Sequence, residues 1–517
     1  MTRMPRLLRL DHPAPLFDVA ATRRLEQAAA ATLPPHTLMQ RAGLAVARLA
    51  LAIRPHARTV WVACGPGNNG GDGFEAAMHL KRWGGHPIVT WLGNEAPLPD
   101  DARASLERAR AAGVPFAHEP PRDLGPQDLC IDALLGIGAT RAPEGRMAQW
   151  LLRMDQGPAA LLAVDVPTGL DADTGAWQRP ADTLLIANNA DPDSAEAIFN
   201  AHSPAPERHT LTLLTVKPGL FTGQGRDACG TLWFDDLGVH SDDGVPPTAM
   251  LCGAPAASPR PHASHKGSFG DVAVIGGVSD ASRGASMAGA ALLAASAALH
   301  GGAGRVYVGL LGDGGPTLDV SQAELMFRRP DELPLNAMTV VCGCGGGDAV
   351  RDALPAVLQA AARLVLDADA LNAIAQDTAL QAALTARAAR GQATVLTPHP
   401  LEAARLLATD TRHVQADRLR AAQSLATRFA CVTVLKGSGS VIAAPDELPR
   451  INATGNARLA TPGSGDVLAG LIGARMAGGM SPFDAACAAV YHHGLIADGW
   501  PAGRALTASA LARRLTA

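Results

Sequence analysis

Residues 64–80, CGPGNNGGDGFEAAMHL, decide how the first half of the chain is read. They follow the apolar run TVWVA (Thr59–Ala63), and they carry a G-x-G-x-x-G at Gly65, Gly67 and Gly70 before Gly71, Asp72 and Gly73 lead into a helical pattern. A buried strand, a glycine turn and a helix in that order open a parallel α/β unit. The loop nevertheless departs from a dinucleotide fingerprint. Pro66 stiffens it, and Asn68 and Asn69 place side-chain amides where such a loop mainly offers backbone N–H groups. The pattern alone is also met by glycines that only let a helix pack close to a strand.

Moving outward, apolar runs alternate with Ala/Leu-rich helical stretches through the whole chain, the pattern of parallel sheets covered by helices. In the first half Thr59–Ala63, Ile88–Leu92, Leu129–Ile131 and Leu161–Val164 read as buried strands. In the second, Val272–Ile275, Val306–Leu310, Val340–Cys342, Leu364–Leu366, Val395–Leu396 and Val432–Leu435 do the same. Pro, Gly, Ser and Asp displace this periodicity from LGVHSDDG to ASHKG, which sets a boundary near residue 243 and gives domains 1–243 and 244–517. The fold class expected is α/β, two three-layer domains. No internal repeat is found, because the two glycine-rich systems differ in spacing.

Composition excludes several functions. Of 517 residues, 47% are hydrophobic and 18% charged, and the net charge of -4 provides no basic field for nucleic acid. The N-terminal MTRMPRLLRLDHPAP lacks an apolar h-region and the most apolar helical run, Gly284–Gly301, is broken by Ser and Gly, so no signal or membrane span is expected. The eight cysteines contain no C-x-x-C and read as buried thiols of a cytoplasmic protein. Lysine occurs only at Lys81, Lys217, Lys266 and Lys436. In a chain that draws its positive charge from arginine, a lysine beside a turn points to a compact ammonium being needed, and VKPG, HKGSFG and LKGSGS are such places.

Each motif of the first half ends a strand: TVWVA runs into GPGNNGGDG, LCI into Asp132 and LLGIGATR, LLAV into Asp165 and VPTGLDADTG. Strand ends of an open parallel sheet share one edge, so Asn68, Asn69, Asp72, Asp132, Asp165 and Thr168 can converge there. Asn69, Asp132 and Thr168 supply hard oxygen donors with one formal negative charge, which suits a large monovalent cation such as potassium. Asp165, at the third strand end, adds another carboxylate to this edge. The alternative for Asp165 is a cap on the turn before Pro167.

In the second half TPGSGDVLAGLIGARMAGG (Thr461–Gly479) sets Gly463 and Gly465 before a helix with Asp466 in its first turn. Free N–H groups and the helix dipole make such a start an anion cradle, and the same positive end is expected to keep Asp466 ionised as a base. Capping by Ser464 and Asp466 is the alternative. VTVLKGSGS adds a lysine and a small-residue turn, Lys436 to Ser440, suited to a nucleotide's phosphates. TVLTPHP puts His399 at a strand end, VLDADALN does so for Asp367 and Asp369, and a small-residue helix is expected to open at Ala285.

The first-half motifs CGPGNNGGDG, DALLGIGATR and AVDVPTGLDADTG, with LPPHTLMQRAG upstream and LTLLTVKPGL downstream, resemble the epimerase domain of the bifunctional NAD(P)H-hydrate repair enzymes, a Rossmann-like sheet. The second-half motifs HKGSFGDVAVIGG, VLDADALN, LTPHPLEAARLL, LKGSGSVIA and NATGNARLATPGSGDVLAG resemble the ribokinase-like superfamily and, within it, the ADP-dependent (S)-NAD(P)H-hydrate dehydratases. The resemblance implies an isomerase and a lyase in one chain, acting on the small molecules NADHX and NADPHX with ADP; a homo-oligomer is expected beside it. It implies that Asn68, Asn69, Gly70, Gly71 and Asp72, with Gly136, Ile137, Gly138, Ala139, Thr140, Arg141 and Ala142, hold the substrate of the first domain. Asp165 would bind it as acid and base, and Asn69, Asp132 and Thr168 would coordinate K+. In the second domain Ala285, Gly345, His399 and Asp466 would contact the hydrate, Lys436, Gly437, Ser438, Gly439, Ser440 and Gly465 the nucleotide, and Mg2+ would bridge the phosphates. Two departures stand out. ADTLLIANNADPDSAEAIFNAHSPAPERH is long and polar for its place, and Gly343, Cys344, Gly345, Gly346, Gly347 replace an expected G-P-G-L-G, which implies a floppier turn. A small-molecule kinase in the second half, or a non-catalytic nucleotide-binding module in the first, are the competing readings.

Overall fold

The computed structural model describes residues 4–139, 141–178, 206–239, 244–256, 260–280, 285–312 and 315–515. The chain divides into two compact units, Met1–Arg9 with Pro15–Thr248, and Leu10–Ala14 with Ala249–Ala517. Residues 241–243, where the boundary is expected from sequence, and 179–205, most of the long polar segment, lie outside the described residues.

In the first unit the strand Val60–Cys64 is buried along its whole length. Its side chains alternate: Val62 and Cys64 join the core under helices Thr37–Ile53, Asn68–Arg82 and Asp100–Ala111, while Trp61 and Ala63 join the core under helix Gly145–Gln156. A two-residue period buried on both faces is what a central parallel strand demands, and each such Val or Leu contributes roughly 1.5–3 kcal/mol relative to exposure. The strand pairs in parallel with Pro87–Trp91 on one side and Leu129–Ala133 on the other. Beyond Leu129–Ala133 come Ala160–Val164, Arg208–Leu213 and Thr231–Asp235, all parallel, with Arg6–Leu7 antiparallel at that edge. The chain first builds away from Val60–Cys64 and then returns to its other side, so the topological switch point lies where the glycine turn leaves that strand. Gly65 is required there: a Cβ on it would lie 1.7 Å from the Leu134 carbonyl oxygen, on the turn leaving the neighbouring strand.

The second unit is built on a longer sheet ordered Met326–Phe327, Arg305–Gly312, Asp271–Asp280, Thr339–Cys342, Arg363–Leu366, Ala393–Leu396, Val432–Leu435, Val441–Ala444, Glu447–Ile451 and Ala249–Leu251. The strands run parallel through Val432–Leu435, and Val441–Ala444 and Glu447–Ile451 continue as an antiparallel meander. Val272, Val274, Val341 and Val365 face the helices Ala288–His300, Ser464–Ala477 and Pro482–Asp498; Ala273, Ile275, Val340 and Leu364 face Val350–Ala360, Asp369–Gln376 and Arg418–Phe429. Both units are therefore three-layer α/β structures. All eight cysteines are buried and free, and among the described residues no helix is long and apolar enough to cross a membrane.

One expected boundary is corrected. The small-residue helix opens at Ala288, not Ala285. Ala285 and Ser286 pair antiparallel with Asp280 and Ser279, and the Ser286 hydroxyl takes the Ala288 N–H at 3.2 Å. The local hydrogen bond of a serine side chain competes with helical continuation and sets the start after it.

Candidate active sites

The switch point of the first unit opens into a cavity of about 640 Å³. Asn68, Asn69 and Asp72 line it from the start of helix Asn68–Arg82, Gly136, Ile137, Gly138 and Ala139 from the next turn, and Asp165 from the third. Gly70 and Gly71 lie one layer back, where a Cβ would meet the Gly65 carbonyl at 2.1 Å and Ala102 at 2.8 Å. Arg141 and Ala142 are exposed and do not line the cavity, and Thr140 lies outside the described residues.

Asp165 has φ +68°, a left-handed conformation that costs a non-glycine residue of order 1 kcal/mol and is concentrated at functional sites. Its carboxylate does not cap its own turn. Oδ1 accepts from the Leu213 N–H at 3.2 Å and forms a short ion pair with the Lys217 ammonium. Lys217 has no exposed surface, and it also donates to the Leu213 carbonyl at 2.7 Å and to Thr212 Oγ1 at 3.2 Å. The carboxylate is thus fixed by donors from the strand end at 213 and from residue 217. Burial, followed by the fields of Asp165 and Glu26, drives the Asp72 carboxyl well above the ordinary range; burial and then Asp165 raise Glu26, on helix Val19–Thr32, as well.

Behind the cavity wall Asp132 is buried. Its Oδ1 accepts from Thr168 Oγ1 at 2.7 Å and from the Leu134 N–H at 3.2 Å, and its Oδ2 from the Thr168 N–H at 3.0 Å. Thr168 Oγ1 also takes the Leu135 N–H at 3.0 Å. Burial raises the Asp132 carboxyl, and these bonds lower it by less. Asn69 reaches the same turn, with its Oδ1 3.2 Å from where a Cβ of Gly136 would stand, and its Nδ2 is buried with no partner. The three residues expected as metal ligands thus flank one turn, Leu134–Gly136.

In the second unit Lys436, at the end of strand Val432–Leu435, donates to Asp367 Oδ1 at 2.6 Å, and Thr397 Oγ1 donates to the same oxygen at 2.7 Å. Burial alone would depress the Lys436 ammonium, but Asp367 and then Glu402 hold it above its usual value. Asp466 comes next to this pair. An Asp466 oxygen, an Asp367 oxygen and the Cys344 sulfur all lie within 4.8 Å of one another. Burial first, then Asp367, raises the Asp466 carboxyl to about 7. This corrects the expectation that the helix end keeps Asp466 fully ionised: desolvation and a neighbouring carboxylate outweigh the dipole. Neither Ser464 nor Asp466 caps helix Ser464–Ala477. Gly463, at φ +86°, is its N-cap with no side-chain bond, and Ser464 Oγ turns back to the Leu459 carbonyl at 2.8 Å.

The small-residue turn from Lys436 to Ser440 is braced from below. Buried Arg418 donates to the Lys436 carbonyl at 3.1 Å, and Gly437 stands at φ +134° with no room for a Cβ, which would fall 2.9 Å from Arg418 Nη2. Gly439 is likewise at positive φ, Ser438 is exposed, and Ser440 Oγ donates to the Gly437 carbonyl at 3.2 Å. A Cβ on Gly465 would lie 3.3 Å from Lys436 Nζ, so this glycine keeps the helix start open over the ammonium. His399 caps helix Pro400–Leu407 through Nδ1, at 3.1 and 3.2 Å from the Leu401 and Glu402 N–H groups, while its ring stays half exposed. Burial and then Lys436 lower His399.

The glycine turn 343–347 is tied in at several points. Gly343, Gly345 and Gly347 occupy positive φ, the Gly345 carbonyl accepts from Val278 N–H at 2.7 Å, and Asp369 Oδ2 accepts from Gly347 N–H at 2.9 Å. A Cβ on Gly345 would sit 2.8 Å from Met287 O and Ala290, so the turn abuts the start of helix Ala288–His300. Of the side chains at the two sites, Glu26 and Cys344 were not among the residues expected to act, and Lys217 was given no partner or role. Lysine scarcity already points at Lys217. Glu26 carries no local signal, and Cys344 shows only as a departure from a motif.

Two family profiles match the chain, "YjeF-related protein N-terminus" over residues 35–219 and "NAD(P)H-hydrate dehydratase" over residues 272–516. The bifunctional NAD(P)H-hydrate repair enzyme Nnr of Escherichia coli is 36% identical over 481 residues, which cover 90% of this chain and 85% of that protein. The chain belongs to the bifunctional NAD(P)H-hydrate repair enzyme family. The Nnr of Coxiella burnetii is 32% identical over 93% of this chain and 94% of its own length. The ADP-dependent (S)-NAD(P)H-hydrate dehydratase of Neisseria meningitidis serogroup B is 43% identical over 250 residues, 46% of this chain and 80% of that protein.

Proposed function

We propose that this member of the repair family equilibrates the R and S hydrates of NADH and NADPH in its first unit and dehydrates the S form in its second, converting ADP to AMP and phosphate. The observation that carries the reading is that each unit gathers, at one sheet edge, a fixed or field-shifted carboxylate beside a buried lysine. In the first cavity Asp165, held by Lys217 and the Leu213 N–H, faces the ring carbon that bears the hydroxyl. Loss of that hydroxyl as water, pushed by the ring nitrogen, and return of water on the other face exchange the two epimers, and the carboxylate moves the proton. Asn68, Asn69, Gly70, Gly71 and Asp72, with the turn at 136–142, would hold the nucleotide.

In the second unit Asp466 takes the proton of the C6 hydroxyl as its oxygen attacks the terminal phosphoryl group of ADP. Phosphate then leaves C6 with its bonding electrons, C5 loses a proton, and the dihydropyridine ring is restored. Lys436, Gly437, Ser438, Gly439, Ser440 and Gly465 would hold the nucleotide, with Ala285, Gly345 and His399 against the hydrate. Magnesium, when present with the nucleotide, would supply neutralisation of the phosphate charge.

The residues Asn69, Asp132 and Thr168 fit a potassium ion. Asp132 is a buried carboxylate that a cation would compensate, and the buried Asn69 amide lacks a partner, so turning it would present oxygen to the same place. The ion would neutralise Asp132 and fix the turn that lines the cavity; replacing K+ by choline should slow epimerisation and leave dehydration unchanged.

The deciding experiment supplies racemic hydrate with ADP and follows NADH absorbance to completion. Full conversion with AMP and phosphate is expected. A plateau at half conversion would show the first unit to be inert, and a stable phosphorylated product would make the second a kinase.

A further inference from the structure

The turn between strand Thr339–Cys342 and Val350–Ala360 carries a side chain that neither proposed step uses. Cys344 is fully buried, with its sulfur within 4.8 Å of carboxylate oxygens of Asp466 and Asp367. Its backbone is pinned: its carbonyl accepts from the Gly277 N–H at 2.8 Å, and flanking Gly343 and Gly345 hold positive-φ conformations that other residues rarely adopt. The sulfur is therefore placed by the fold.

Three potential ligand atoms so close invite a metal reading, but the charge at the site is already supplied, since Lys436 lies 2.6 Å from Asp367 Oδ1. A metal would also need the thiolate. Burial and then the fields of Asp466 and Asp367 push the thiol well above its usual value, so it keeps its proton and has one to donate.

We propose that Cys344 is a positioning residue for the dehydration step, its S–H donating a hydrogen bond to the Asp466 carboxylate and so stabilising the basic form of that carboxylate beside Asp367. The proposal rests on the reading of Asp466 as the base. The other groups acting on Asp466 are Asp367 and Asp369 from the strand Arg363–Leu366 and the helix after it, and Lys436 from Val432–Leu435. Glu402 and His399 act on Lys436, and His493, on helix Pro482–Asp498, bonds the Ser464 carbonyl at 2.9 Å. Of these neighbours, the two carboxylates favour the neutral form of Asp466, whereas Lys436 and the thiol favour its anion. Removing the thiol should move the acid limb of the rate upward in pH.

The test measures the initial rate of NADH formation by the full chain, with saturating ADP and hydrate, from pH 5.5 to 9 for wild type, Cys344→Ala and Cys344→Ser. For a weak donor to a charged acceptor, Cys344→Ala should lower the rate roughly 3- to 10-fold on the acid limb and less than about twofold at pH 9. Cys344→Ser, which keeps a donor, should return the limb toward wild type. The proposal is overturned if the alanine limb does not move, if the alanine rate falls by one factor at every pH, or if serine behaves as alanine does. Matching thermal melts and ADP KM values for the three proteins separate these outcomes from misfolding. Failure of the dehydratase reading looks different, because wild type itself would then form no NADH.

Discussion

Two lysines of a chain that has only four stand at the two sites, and they are wired differently. Lys217 bonds Asp165 itself, whereas Lys436 bonds Asp367 and leaves Asp466 one step removed, with a thiol as its neighbour. The first arrangement holds in place the carboxylate proposed to act. The second leaves the carboxylate proposed as base without an ammonium of its own and shifts it to about 7, into the range where a base can accept a proton and release it. The same residue types at equivalent sheet edges therefore give two kinds of carboxylate, and the difference is which aspartate the ammonium touches.

The strongest way to break this comparison is to remove Asp466. Asp466→Asn deletes the proposed base with little change of shape, and NADH formation should fall by about 10²–10⁴-fold while exchange between R and S hydrates, followed by chromatography, continues at the wild-type rate. An equal fall in both would mean that the two sites are not separate.

Next in size is the Lys217–Asp165 pair. Lys217→Met leaves Asp165 buried without its ammonium, a change that costs about 3–5 kcal/mol in comparable pairs. The epimerase rate should drop about 100-fold or more and the first unit's melting temperature should fall. The second unit's dehydration of pure S hydrate should stay intact.

A smaller effect sharpens the contrast through pH. The Asp466 carboxyl is raised from an ordinary 3.8 to about 7, so dehydration should rise through pH 7 as the base ionises. The sign for stability is opposite. A group raised on folding contributes stability that is complete below its unfolded value and is lost as pH climbs through its folded value. Asp466→Asn should therefore melt higher than wild type above pH 7, with the gap closing toward pH 4, a trade of stability for function. If calorimetry found wild type the more stable at pH 8, the raised carboxyl would be wrong.

Much of this was legible in the sequence, for local reasons. Val60–Cys64 announces itself because a strand buried on both faces must be continuously apolar, and Gly65 stands where the Leu134 carbonyl oxygen of the neighbouring turn lies 1.7 Å from where its Cβ would be. Asp132 and Asp165 were placed by the rule that parallel strand ends share an edge. What stayed hidden depends on separation. Lys217 meets Asp165 across 52 residues, a pairing that no window of sequence contains. Glu26 lies on a helix that reads as an ordinary amphipathic element. The Asp466 shift was misjudged because a sequence shows the helix start but not the burial or the second carboxylate that outweigh it. The antiparallel meander Val441–Ile451 follows the same logic: VIAAPDELPRI alternates too weakly to separate two short strands from a loop.

The smallest effect tests whether the two lysine turns also differ in rigidity. Gly437 stands at φ +134°, where an alanine is strained, and the added methyl would fall 2.9 Å from the buried Arg418 that braces the Lys436 carbonyl. Backbone strain of this kind costs about 1 kcal/mol at the low end, so Gly437→Ala should raise the KM for ADP about fivefold. Because Lys436 is held from its other end by Asp367, the base and its neighbours keep their places, and kcat should change by less than about twofold. A fall in kcat with KM unchanged would mean that the turn does not hold the nucleotide and instead positions the lysine, which would bring the second site closer to the wiring of the first.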